Sequence, residues 1–164
     1  MPEREGSLAV LDPIGATHRL FGAGDGRTLS YRVSPPFRGG PRAGAGPCPV
    51  LVMLPGGPGL DPAAYFAHAH LPGRRQVFLA PRGTEASDPP LSPAGYGLGG
   101  HLDDLEDLVA HLGGEPVALL GSGHGARVAL ASARAHPGAV ERMLLSGGQL
   151  GLDHAFQTQL LSVQ

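Results

Sequence analysis

Gly121-Ser122-Gly123-His124-Gly125 sets a hydroxyl and an imidazole among three glycines, which gives this stretch the means for chemistry. A serine on a tight strand-to-helix turn can attack an acyl carbon when small residues two before and two after it permit the bend. A histidine oriented by a carboxylate must then take its proton, and two backbone N–H groups must face the oxyanion. The small flanking residues here are Gly121 and Gly125, so the central position is Gly123, which carries no nucleophile. Centring the turn on Ser122 instead puts Leu120 and His124 where small residues are required. Ser122 is therefore expected to be a polar turn residue bonding local backbone. After Gly123 the acids are Glu141 and Asp153 and the imidazoles are His124, His136 and His154. None of these is assigned as catalytic acid or base.

With Ala126 the same residues match G-x-G-x-x-A, in which glycines let a pyrophosphate approach backbone at a helix N-terminus. The ribose-binding acid belongs at the end of the next strand, about twenty residues on. Glu141 stands at that strand's beginning, and its end reads Ser146-Gly147-Gly148. No cofactor is expected. His68 and His70 are two apart and point about 200° away from each other on a helix. With His101 and His111 they read as ordinary helix residues, and no metal is expected. Cys48 lies in a Pro/Gly-rich loop with nothing nearby to activate it, and a single cysteine excludes an internal disulfide.

The elements that must position these residues occupy 164 residues, a length suited to one compact domain. Fourteen acids against twelve bases give a net charge of −2, which offers no electrostatic case for nucleic acid or anionic membrane. Mean hydropathy is −0.00, and no apolar run approaches the ~20 residues of a spanning helix. Met1-Pro2-Glu3-Arg4-Glu5 is acidic where a secretion signal is basic, so a cytoplasmic chain is expected.

Glycine and proline, 27 and 17 residues, punctuate a pattern of elements. Residues 1–16 read as an N-terminal extension, and 17–33 as a hairpin in which Leu29, Tyr31 and Val33 alternate onto one face. Residues 34–49 form a loop without periodicity. Val50-Leu51-Val52-Met53-Leu54, Val77-Phe78-Leu79 and the run 117–120 are continuous apolar segments, the signature of strands buried on both faces. Met143-Leu144-Leu145 is the core of a fourth. Between them lie a short helix over 63–69, an amphipathic helix over 102–112 and an alanine-rich helix over 126–135. The acids at 103–107 are expected on a solvated face. Residues 151–164 form a tail. Strand–helix alternation with short loops implies a parallel sheet with right-handed crossovers.

This order, with three loop motifs, resembles the α/β-hydrolase fold and most closely its proline iminopeptidase branch. Leu54-Pro55-Gly56-Gly57-Pro58-Gly59 resembles the branch's His-Gly-Gly-Pro-Gly oxyanion loop. Pro81-Arg82-Gly83-Thr84-Glu85-Ala86-Ser87 resembles its Asp-x-Arg-Gly-x-Gly-x-Ser loop. The acidic helix, 121–125 and Ala126-Arg127-Val128-Ala129-Leu130 resemble the helix, nucleophile elbow and following helix. The resemblance spans 17–150. It implies an α/β three-layer sandwich with a mostly parallel central sheet and an N-terminal antiparallel hairpin, its last strands and cap missing.

The resemblance also implies a serine hydrolase that releases N-terminal residues, especially proline, from peptides. The chain departs from the pattern at Pro55, Ala80, Glu85 and Gly123, where the family has histidine, aspartate, glycine and the nucleophile. A homologue with impaired or no catalysis is therefore expected. If it is active, Ser122 is the nucleophile, the N–H groups of Gly57 and His124 are the oxyanion donors, and the substrate is a peptide or small molecule. One alternative is a non-catalytic interaction subunit, whose exposed sheet edge takes a partner chain or self-associates. The other is a dinucleotide-binding module using Gly121, Ser122 and Gly123.

Overall fold

A computed structural model describes residues 15–35, 48–57, 60, 71 and 73–147. The helix expected over 63–69 with His68 and His70, most of the 34–49 loop, Asp153, His154 and the tail lie outside these residues.

The hairpin forms as β1 (Thr17–Gly22) and β2 (Thr28–Val33), antiparallel with Phe21 opposite Leu29 and Arg19 opposite Tyr31. Gly26, at φ +85°, closes the turn, and its N–H donates to the Ala23 carbonyl at 2.9 Å. Alternation sends Leu29 and Tyr31 into the core and leaves Ser30 on the opposite face, as period-two geometry requires.

The apolar runs become β3 (Val50–Leu54), β4 (Arg75–Leu79), β5 (Val117–Ser122) and β6 (Val140–Ser146). The sheet order is β1-β2-β4-β3-β5-β6, parallel from β4 to β6, with β2 antiparallel to β4. Val52, Leu54, Val77, Leu79, Val117 and Leu119 share one cluster with Leu105, Leu108, Val128 and Ala129 of the two helices. Leu51, Met53, Phe78, Ala118 and Leu120 make a second cluster on the other face. Burial on both sides is why these strands read as unbroken apolar runs.

The amphipathic helix is α1 (Leu98–His111), which starts four residues before its apolar periodicity is legible. Gly113 at φ +114° and Gly114 at φ +74° stop it, their N–H groups donating to the carbonyls of Ala110 and Val109. The alanine-rich helix is α2 (His124–Ala135), beginning directly after Gly123. Among the described residues β6 is the sheet's edge, with Met143 39% and Leu144 64% exposed. No helix among the described residues is long and apolar enough to cross a membrane.

Candidate functional site around the strand-to-helix turn

β5 ends at Ser122 and α2 begins at His124, so Gly123 alone forms the apex, at φ +50° and ψ −114°. A side chain at that φ costs about 1–3 kcal/mol. Ser122 lies within the strand, opposite Ser146 of β6. The close approaches at the turn explain its glycines. A Cβ on Gly121 would stand 2.5 Å from the Gly125 carbonyl oxygen, and one on Gly125 would stand 2.2 Å from that of Leu54. A Cβ on Gly123 would meet the Gly56 carbonyl oxygen at 2.5 Å. Where a nucleophile's side chain would leave the backbone, this chain holds a carbonyl.

That carbonyl also engages one of the turn's amides. The His124 N–H, the expected oxyanion donor, donates to Gly56 O at 2.9 Å, and the Gly125 N–H donates to Pro55 O at 3.0 Å. The Gly123 N–H donates to Ser146 O at 3.0 Å. The start of α2 thus gives its first amides to protein backbone, leaving an oxyanion or a pyrophosphate none of these three in this conformation. Gly57 lies beside the turn and its carbonyl accepts the Leu60 N–H at 3.2 Å.

A small cavity adjoins the turn, lined by Leu54, Gly57, His101, Asp104, His124 and Val128 among others. The rings of His101 and His124 meet edge to face, 4.8 Å between centroids and 72° between planes. His101 is 6% exposed. Burial pushes its pKa down to about 4, aided by the like charges that His124 and Arg82 would present. Burial, then Arg127, holds His124 below the usual imidazole range. The Nε2 atoms of both rings are buried and have no hydrogen-bond partner among the described residues, so neither engages the Ser122 hydroxyl.

The cavity wall is fixed by buried ions. Asp104 accepts Arg82 Nε at 2.8 Å and Nη2 at 2.6 Å, and Arg27 Nη2 at 3.2 Å. Arg82 also donates to the carbonyls of Gly95, at 2.5 Å, and Gly100. This corrects the expectation of a solvated acidic face at Asp104, which is 2% exposed, while Asp103 and Glu106 are exposed as expected. Asp107 too is engaged, accepting the Gly24 N–H at 2.7 Å and so docking the hairpin turn on α1. Of the loop motif at 81–87, Ser87 Oγ donates to the Ala80 carbonyl at 2.9 Å and accepts the Ser30 N–H at 2.9 Å. Glu85, where the resembled pattern has glycine, sits at φ +47° and pairs with Arg32 at 3.0 Å.

The strand order and the turn at Gly123 are accompanied by a match to the family model of the α/β-hydrolase fold over residues 49–164. The chain belongs to the α/β-hydrolase fold family. This α/β-hydrolase-fold chain superposes on a hydrolase from Pseudomonas aeruginosa with a TM-score of 0.70 at 24% identity, covering 88% of this chain and 51% of that one. An epoxide hydrolase from an endophytic Streptomyces gives 0.65 at 23% identity, over 80% of this chain and 37% of that one. The bottromycin epimerase BotH, solved with bottromycin A2, gives 0.64 at 21%, over 78% and 47%. The chain thus spans about half or less of each of these relatives. A search of curated proteins finds no match.

Sequence reading missed Asp104, Arg27 and His101 at this site. The spacing of Asp104 beside Leu105 and Leu108 placed it at the margin of the apolar stripe, and that margin was the available signal.

Proposed function

We propose that this chain is an α/β-hydrolase-fold protein that does not carry out serine hydrolysis at its elbow. One observation carries this reading: the apex is Gly123, with the Gly56 carbonyl oxygen 2.5 Å from where a Cβ would stand. Catalysis by such an elbow needs a nucleophile there and free N–H groups aimed at the developing charge. Here the first is lacking and the His124 N–H is taken by Gly56. Restoring the side chain alone would not suffice, because Gly56 must also move.

The finer likeness to proline iminopeptidases rests on the loops at 54–59 and 81–87. In the second, Arg82 and Ser87 are consumed in holding α1 and β2, so their presence supports the fold more than a peptide substrate. The solved relatives span a hydrolase, an epoxide hydrolase and an epimerase, so the shared scaffold selects no single reaction. A cytoplasmic location belongs to the same proposal. The test is incubation with a fluorophosphonate serine probe followed by intact-mass analysis. The expected result is no adduct; stoichiometric labelling at Ser122 overturns the reading.

A second reading is favoured by β6, an interaction subunit using that strand. Among the described residues it is an edge strand, with Met143 and Leu144 exposed on its two faces, and proteins usually cover such an edge. Sedimentation velocity across a hundredfold dilution is expected to show association at the higher concentrations. A monodisperse monomer throughout, with stability unchanged on dilution, counts against it.

A further inference from the structure

The paired imidazoles beside the turn have no part in the reading above and do not depend on it. His101 comes from the first turns of α1 and His124 is the first residue of α2, so their ring contact joins two elements far apart in sequence. The cavity they line offers about 20 Å³ of water-accessible space. That is room for about one water and for no organic ligand. A metal cation would find poor company there, since Arg82 and Arg127 already disfavour positive charge on the two rings.

The pair is stable in one protonation state. The two rings line the cavity together with the apolar side chains of Leu54, Leu79 and Val128. A proton added to either ring would bring charge into a largely apolar cavity where both Nε2 atoms are buried without an acceptor among the described residues. From α1 the added charge would face Asp104, whose two oxygens are already bound by Arg82 and Arg27. On His101 it would also face Arg82 from the 81–97 segment and His124 from α2, both opposing, and a backbone hydrogen bond at Tyr96, which favours it; on His124 it would face Arg127. Burial is the largest effect at both rings, and it opposes the proton.

We propose that the His101–His124 contact is an acid-sensitive latch, which holds the start of α1 against the strand-to-helix turn while both rings are neutral and lets go when either takes a proton from solvent. The depressed pKa values support this. A histidine whose pKa falls on folding stabilises the closed form fully above its unfolded pKa of 6.5, and that contribution is lost as pH falls toward about 4. With His101 at about 4 closed and 6.5 open, the opening constant rises roughly 30-fold between pH 7.5 and pH 5.0. Release of α1 would also free the cavity side of the turn, where Gly57 and His124 lie.

Hydrogen exchange read by mass spectrometry tests this on the whole chain, with rates corrected for intrinsic pH dependence. Opening of segments 95–104 and 121–128 is expected to increase roughly 30-fold from pH 7.5 to 5.0 in the wild type. The double variant His101→Gln, His124→Gln should reduce this to less than about twofold, whereas His18→Gln, at an exposed position on β1, should keep the wild-type response. An unchanged acid response in the double variant overturns the latch. Should that variant fail to fold, proton NMR titration of the wild type decides. A folded-state midpoint for His101 well below 6 supports the proposal, and one near 6.5 overturns it.

Discussion

Asp104→Ala is expected to destabilise the fold by about 3–5 kcal/mol, the range found when one partner of a buried ion pair is removed. The two guanidinium groups that converge on Asp104 are 4% and 8% exposed, at Arg82 and Arg27. Alanine leaves Arg82 without its bidentate partner in a site that water reaches poorly. Arg27 fares better, because Asp25 still accepts its Nε at 2.7 Å. The cost should therefore fall mainly on Arg82, the side chain that ties the carbonyls of Gly95 and Gly100 to the site. A double-mutant cycle with Arg82→Met separates the contributions. If the stranded charge dominates, the double variant will be more stable than Asp104→Ala alone. Urea denaturation monitored by circular dichroism measures all three; a loss below about 1 kcal/mol for Asp104→Ala would show that the pair is not buried as described.

Gly125→Ala is expected to cost about 3 kcal/mol or more, at the upper end of what overpacking produces. The new methyl would stand 2.2 Å from the Leu54 carbonyl oxygen and 2.7 Å from that of Pro55. These atoms are backbone at the end of β3, held by the sheet, so no side-chain rotation relieves the clash. Gly99→Ala provides the opposite case. Gly99 lies inside α1 with nothing within 4 Å of an added Cβ. There the substitution should stabilise by about 0.5–1 kcal/mol, through the smaller entropy of the unfolded chain. The same denaturation experiment checks both, and equal effects at the two positions would contradict the close packing of β3 against the turn.

The elements whose signal is local were legible beforehand. Continuous apolar runs marked β3, β4 and β5 because a strand buried on both faces excludes polar residues regardless of its neighbours' identity. Alternation marked the hairpin, and glycine pairs marked the end of α1. The start of α1 was missed because Leu98, Gly99 and Gly100 show no helical periodicity. That turn is instead held by tertiary contacts, including the bond from Arg82 to the Gly100 carbonyl. Asp104 was misread for a related reason. An acid next to leucines can be solvated or ion-paired, and the cations that bury it come from 22 and 77 residues away.

At the functional turn the division is the same. Glycine spacing in the sequence already places the bend on Gly123 and denies it a nucleophile, because the absence of a side chain is a property of the residue itself. Only the tertiary structure brings the Gly56 carbonyl onto the His124 amide, and His101 onto His124. Those contacts depend on how β3, β5 and α1 are registered against one another, and register between distant segments is an outcome of packing that no single stretch of residues encodes.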